Sequence, residues 1–152
     1  MKTIYIMVGI PGSGKSTWVK EQFLKLDEGF MVLNADTIRA ELYGDESIQG
    51  NPKMVFQILY DRFRRALLNN KIKTIFIDNT SVDKKSRAQI FRLIENNCPE
   101  CDINIKVFED FEKAKEWNKG RDRIVPDEVM DRMIDKFEYP NQNETILNFK
   151  LI

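Results

Sequence analysis

Thr3-Ile4-Tyr5-Ile6-Met7-Val8 runs directly into Gly9-Ile10-Pro11-Gly12-Ser13-Gly14-Lys15-Ser16. The first six residues are almost continuously apolar and rich in β-branched side chains, the pattern of a strand covered on both faces. The next eight satisfy G-x-x-x-x-G-K-[S/T] at every fixed position. Val19, Phe23 and Leu26 then recur at i, i+4 and i+7. That spacing predicts a helix from Lys15 to about Leu26, lying on a sheet and ended by Gly29. Strand, glycine-rich turn and helix in succession make an anion cradle. Glycines let backbone N–H groups turn inward, the helix adds its positive end, Lys15 reaches the β- and γ-phosphates, and the Ser16 hydroxyl can ligate Mg²⁺. The expected binding set is Gly9, Pro11, Gly12, Ser13, Gly14, Lys15, Ser16 and Thr17, with ATP or another nucleoside triphosphate as the ligand.

Outward from this unit the pattern repeats. Phe30 to Leu33 is a second short apolar run ending at Asn34, and a helix is expected to restart near Asp36. Gly44 to Pro52 reads as a surface loop, with Pro52 in the first turn of a helix carrying Val55, Phe56, Leu59, Phe63 and Leu67 to about Asn70. Lys73 to Ile77 is a third strand, and Ser81 or Asp83 can cap a helix through about Asn96. Ile103 to Phe108 is a fourth strand, less completely covered. A short helix over Phe111 to Trp117 follows, then a polar, arginine-bearing segment from Lys119 to Val125. Pro126 opens a helix to about Phe137, and Thr145 to Leu151 can form a fifth strand. Alternating strands and helices imply right-handed parallel crossovers: a three-layer α/β fold whose parallel sheet has four or five strands and helices on both faces. Such sheets bind ligands at the carboxyl ends of their strands. Gly9, Asn34 with Asp36, and Asp78 with Thr80 should therefore meet at one edge.

The chain has 152 residues, 42% of them hydrophobic, which suits one core and is too little for two ordinary domains; residues 1–152 are expected to form a single domain. Twenty-four basic residues balance twenty-four acidic ones, so any polyanion site must be local. No apolar run approaches the roughly 20 residues of a spanning helix, and a soluble, cytoplasmic protein is expected. Cys98 and Cys101 form a lone C-x-x-C in a chain without histidine, so cysteine and histidine cannot complete a four-ligand zinc site. Pro99 puts the pair in a turn, where reduced, structural thiols are expected. Arg62, Arg64, Arg65, Lys84, Lys85 and Arg87 read as solvated helix surface.

Other candidate site residues follow the strands. Asp36 and Arg39 are three apart, so one helical turn places them on the same face. The pair reads either as a helix cap with a surface charge, or as a carboxylate that accepts a hydroxyl proton beside a guanidinium that grips a phosphate. Their predicted position beside the cradle favours the second. Ile75-Phe76-Ile77-Asp78 has the form of an apolar strand delivering an acid toward magnesium or toward Ser16. Thr80 joins Asp78 as a candidate acceptor contact. Arg121 and Arg123 lie in a segment suited to closing over a γ-phosphate, Arg121 being preferred.

GIPGSGKSTW, then Asn34-Ala35-Asp36-Thr37-Ile38-Arg39, Asp78-Asn79-Thr80, Asn118 to Arg121 and Val125-Pro126 together resemble the polynucleotide 5′-hydroxyl kinase family, in particular the kinase domain of its bacteriophage type, from Met1 to about Tyr139. The resemblance implies a P-loop kinase fold and ATP- and Mg²⁺-dependent transfer to nucleic-acid 5′-hydroxyl ends. It further implies Asp36 as general base, Arg39 at the acceptor phosphate, and Arg121 or Arg123 in the lid. The Asp-x-Asp-x-Thr motif of the 3′-phosphatase domain that often follows is absent from this chain, so no 3′-phosphatase domain is expected. Two other functions share the cradle: a small-molecule kinase for a nucleoside, sugar acid or antibiotic, and a nucleotide-binding module without transfer. The first differs in its acceptor, the second in releasing no acceptor-dependent ADP.

Overall fold

The computed structural model describes residues 1–152. Five strands, β1 (Thr3–Gly9), β2 (Phe30–Leu33), β3 (Thr74–Ile77), β4 (Asp102–Phe108) and β5 (Phe149–Leu151), form one sheet in the order β2-β3-β1-β4-β5. Every pairing is parallel. The helices are α1 (Lys15–Phe23), α2 (Ala35–Tyr43), α3 (Pro52–Leu68), α4 (Lys84–Asn97), α5 (Phe111–Lys119) and α6 (Asp127–Lys136). No helix is long and apolar enough to cross a membrane.

Strand alternation builds the layers. Ile4, Ile6 and Val8 of β1 join Ile75, Ile77, Ile103 and Ile105 in the main core under α3 and α4. Met7 of β1, with Phe76, faces the other way, against Val19 of α1. Ile10, Val82, Ala114, Val125 and Met130 make a third cluster beside the carboxyl ends of the strands, where α5 and α6 meet. The three-layer α/β arrangement read from the sequence is therefore the one observed.

Several local expectations are corrected. Helix α1 stops at Phe23, and Gly29 instead takes φ 74° just before β2, where its carbonyl accepts from the Lys73 and Thr74 amides. Leu26 still packs on the α1 face, from a turn. Asn34, not Asp36, caps α2: its side chain accepts from the Asp36 and Thr37 amides. Asp83 rather than Ser81 caps α4, and Ser81 is buried with φ 45°. Pro126 sits at the N-cap of α6, one position before its first turn.

The fifth strand shrinks to Phe149–Leu151: the Leu147 amide donates to Thr145 Oγ1 instead of a strand partner, and Gln142–Glu144 before it coil into a 3₁₀ turn with the Glu144 side chain buried. Its carboxylate meets Arg87, which is 0% exposed and not solvated as expected. Arg87 also donates to the Ser81 and Glu138 carbonyls at 2.8 Å each. This satisfied ion pair ties the 138–144 segment to α4. Cys98 and Cys101 are joined in a disulfide and contribute to the main core. That overturns the expectation of reduced thiols: the turn through Pro99 brings their Cα atoms to 5.7 Å, within bridging distance.

Candidate active site

The carboxyl ends of β1, β2 and β3 open on one cavity of about 760 Å³. Its floor is the Gly9–Ser16 loop. Gly12 and Gly14 have φ 81° and 96°, values that suit glycine. At Gly12 an added Cβ would also stand 2.6 Å from the Ala114 carbonyl oxygen, so α5 packs directly on the loop. Gly14 caps α1, and the N-terminal end of that helix faces the cradle.

Lys15 is buried at 9% exposure, and its ammonium donates to the Ile10 carbonyl at 2.9 Å. Burial pushes its pKa down from 10.5 to about 8, opposed by the Asp78 carboxylate and reinforced by the Arg121 guanidinium, with Asp36 opposing more weakly. A buried cation among these groups is short of counter-charge, which phosphate oxygens would supply.

Ser16 Oγ donates to Asp78 Oδ2 at 2.7 Å, while Asp78 Oδ1 is buried without a partner. Ser13 Oγ, Arg39 Nε and Arg121 Nη1 are likewise buried and unpaired. Unpaired buried polar atoms are costly, and the three on the cavity-lining residues Arg39, Asp78 and Arg121 mark a place built for a polar ligand. No cluster of three or more acidic, cysteine or histidine side chains could hold a metal unaided. Ser16 and Asp78 do offer the sparse hard-oxygen set that Mg²⁺ shares with phosphates and water, so the residues fit that ion.

The second wall is built from the ends of β2 and β3. Asn34 Nδ2 donates to the Asp78 carbonyl at 2.9 Å, and the Ala35 amide donates to Asn79 Oδ1 at 3.0 Å. These bonds fix the start of α2 and bring Asp36 and Arg39 to the cavity. Arg39 Nη1 meets Asp36 Oδ1 at 2.8 Å, and Arg123 Nη1 reaches the same oxygen at 3.1 Å from the opposite wall. Oδ2 makes no protein hydrogen bond, and the Asp36 side chain is 36% exposed. The two segment arginines thus part: Arg121 contributes to the field at Lys15, and Arg123 pairs with Asp36. Thr80 lines the cavity, and its carbonyl accepts from the Gly9 amide at 2.9 Å.

The arginine-bearing segment is clamped at its base. Asn118, 1% exposed, donates to the Val125 carbonyl at 2.8 Å and accepts from the Val125 amide at 3.1 Å. One side chain closes residues 119–124 into a loop over the cavity. Trp117, Phe56, Gln49, Val129 and Met133 also line the cavity and were not singled out from sequence. Gln49 lies in the loop before α3, and the other four are on helices, where only tertiary packing decides which faces meet the site.

A strand–P-loop–helix unit at the centre of a β2-β3-β1-β4-β5 parallel sheet, with an arginine-bearing loop above it, defines the P-loop kinase fold. A family model described as an AAA domain matches residues 4–140, and the chain belongs to that family, whose P-loop implies nucleotide binding. Among solved structures the chain is similar to Kti12 of Chaetomium thermophilum in complex with ADP-AlF3, with 18% identity over 98% of this chain and 88% of that one and a TM-score of 0.72. It is similar to a fungal RNA kinase, with 15% identity over 98% and 72% of the two chains and a TM-score of 0.70. It is also similar to a chain of the Pnkp1/Rnl/Hen1 RNA repair complex, with 20% identity over 89% of this chain and a TM-score of 0.68. This chain spans 43% of that protein. At these identities the likeness is one of fold.

Proposed function

We propose that this protein is an ATP-dependent polynucleotide kinase that transfers the γ-phosphoryl group to the 5′-hydroxyl of a nucleic-acid end. The observation that carries the reading is Asp36: a carboxylate oxygen free of protein partners, across one cavity from the phosphate cradle, flanked by Arg39 and Arg123. The likeness of fold to a fungal RNA kinase and to a chain of an RNA repair complex supports a nucleic-acid acceptor. In this reading the Asp36 carboxylate accepts the proton of the 5′-hydroxyl as its oxygen bonds to the γ-phosphorus, while the bond to the β-phosphate oxygen breaks and ADP leaves. Lys15 and Arg121 stabilise charge on the transferring group, and Arg39 grips the acceptor phosphate next to the reacting hydroxyl. Ser16 and Asp78 would hold Mg²⁺, which neutralises phosphate charge when bound. Thr80 and Asp78 border the acceptor side.

The test is transfer from γ-labelled ATP to a panel of 5′-hydroxyl oligonucleotides, 3′-mononucleotides, nucleosides and sugar acids. Label is expected on oligonucleotide 5′ ends and, more weakly, on 3′-mononucleotides. Faster labelling of a nucleoside or sugar acid overturns the acceptor assignment. ATP binding with no acceptor-dependent ADP release overturns transfer itself.

A further inference from the structure

One aromatic side chain at the cavity has no part in the transfer described above. Trp117 is 49% exposed, and it borders the cavity along with Gly14 and Arg121. A large ring left half in water beside a polar site forgoes burial that a helix surface could have provided with a smaller residue. Its position is nevertheless held by two contacts to the ring and by the anchoring of the helix end that carries it. The Lys113 ammonium lies 4.2 Å from the ring centroid, a cation–π contact from the preceding turn. An added Cβ at Gly14 would lie 3.3 Å from Cζ3 of the ring, so the indole stands against the residue that caps α1. The neighbouring Asn118 is bonded to Val125, which fixes the end of α5.

Trp117 therefore stands at the rim of the cradle, four residues before Arg121. A nucleotide with its phosphates on Gly12 to Ser16 must place its base outside the loop, and Trp117 is an aromatic surface beside the loop's last glycine. We infer that Trp117 is the stacking platform for the base of the donor nucleotide, an inference that rests on the P-loop reading above. Lys113 takes one face of the indole and the base the surface turned to the cavity. A ring senses the π-face that every base has and not its hydrogen-bonding edge. Donors should accordingly rank by stacking strength, purines ahead of pyrimidines, with adenine and guanine nearly equal.

Trp117 and Trp18 are the chain's two tryptophans, and Trp18 packs against Tyr5 away from the cavity. In Trp18→Phe the fluorescence therefore reports Trp117 alone. Titration with ADP, GDP and CDP is expected to quench it, most with the purines, whereas inorganic tripolyphosphate should compete for the cradle without quenching. Calorimetry should give Trp117→Ala an ADP Kd raised about tenfold or more, with tripolyphosphate affinity within about twofold of the parent. Trp117→Phe, which keeps a ring, should retain most of the affinity and guards against a folding artefact. Equal quenching by tripolyphosphate, or ADP binding that neither quenches nor weakens in Trp117→Ala, overturns the platform and leaves the cradle intact. Failure of the wild-type chain to bind either ADP or tripolyphosphate overturns the cradle reading and the platform with it.

Discussion

Lys15 and Asp36 are the two residues on which the proposed chemistry turns, and each makes a separable prediction. The Lys15 value near 8 lies below the 10.5 of a free lysine, so folding favours its neutral form. Burying the ammonium thus costs stability at pH 8 and below, and that cost fades as pH rises from about 8 to about 10.5. The ligand-free protein should gain stability over that window relative to Lys15→Met, by an amount on the order of 3 kcal/mol. Melting curves from pH 7 to 10 that run parallel for the two proteins would refute this. Phosphate favours the charged lysine, so ADP binding above pH 8 should take up protons, which calorimetry in buffers of different ionisation enthalpy measures directly. Asp36→Asn leaves the Asn34 cap in place and removes the proposed proton acceptor, a first-turn charge and the charge partner of Arg39 and Arg123. Transfer should fall by roughly 10² to 10⁴, with at most about 1 kcal/mol lost in stability. Unchanged transfer would return Asp36 to a structural role. The placement of both residues at one cavity was legible from motif spacing. That Asn34 and not Asp36 caps α2 was not, because either side chain can accept from amides of a first turn.

At the scale of elements, the segment between α5 and α6 is the part whose geometry matters most. Asn118→Ala leaves the Val125 amide and carbonyl buried without their partner, a loss of about 1–3 kcal/mol. It also frees the loop that carries Arg121 and Arg123. We expect kcat to drop about tenfold or more with a smaller change in ADP affinity, and faster hydrogen exchange confined to residues 119–125; wild-type kcat would show that the clamp is dispensable. Arg121→Ala should lower kcat by about 10² or more, whereas Arg123→Ala should do less, since it bonds Asp36. The reverse ranking would exchange the two roles. Strand and helix identities were readable here because hydrophobic period and turn residues agree. The pairing of Asn118 with Val125 was not, because a buried asparagine at a helix end has the same sequence signature as an exposed one.

For the molecule as a whole, net charge and the buried Arg87–Glu144 pair set what to expect. With no net charge, the proposed acceptor site should engage only a few phosphates of an oligonucleotide. The slope of log K against log salt for a single strand should be shallow, near −0.7 per phosphate engaged and smaller in magnitude than about 2; a slope steeper than about −4 would require a long electrostatic footprint. Arg87→Met or Glu144→Gln alone should destabilise by about 3–5 kcal/mol, because each leaves a desolvated partner, and the double variant should lose less than the sum. Strict additivity in denaturant unfolding would contradict a coupled pair. Arg87 looked like solvated surface in the sequence because it follows Lys84, Lys85 and Ser86. Its acidic partner lies 57 residues away, a distance no local pattern can bridge.

The central strand has no neighbour close to it in the chain. Thr3 pairs with Thr74 on one side and with Asp102 on the other. At a synthesis rate of about 5–20 residues per second, the roughly 100 residues from Thr3 to Asp102 take on the order of 5 to 20 s to emerge. Throughout that interval the nascent chain carries an apolar strand with an open edge, the kind of segment that pairs between copies when ribosomes are crowded on one message. The strand that presents the P-loop is made first and completed late, so yield on overexpression should depend on slow translation or chaperone supply more than on the stability of the finished fold.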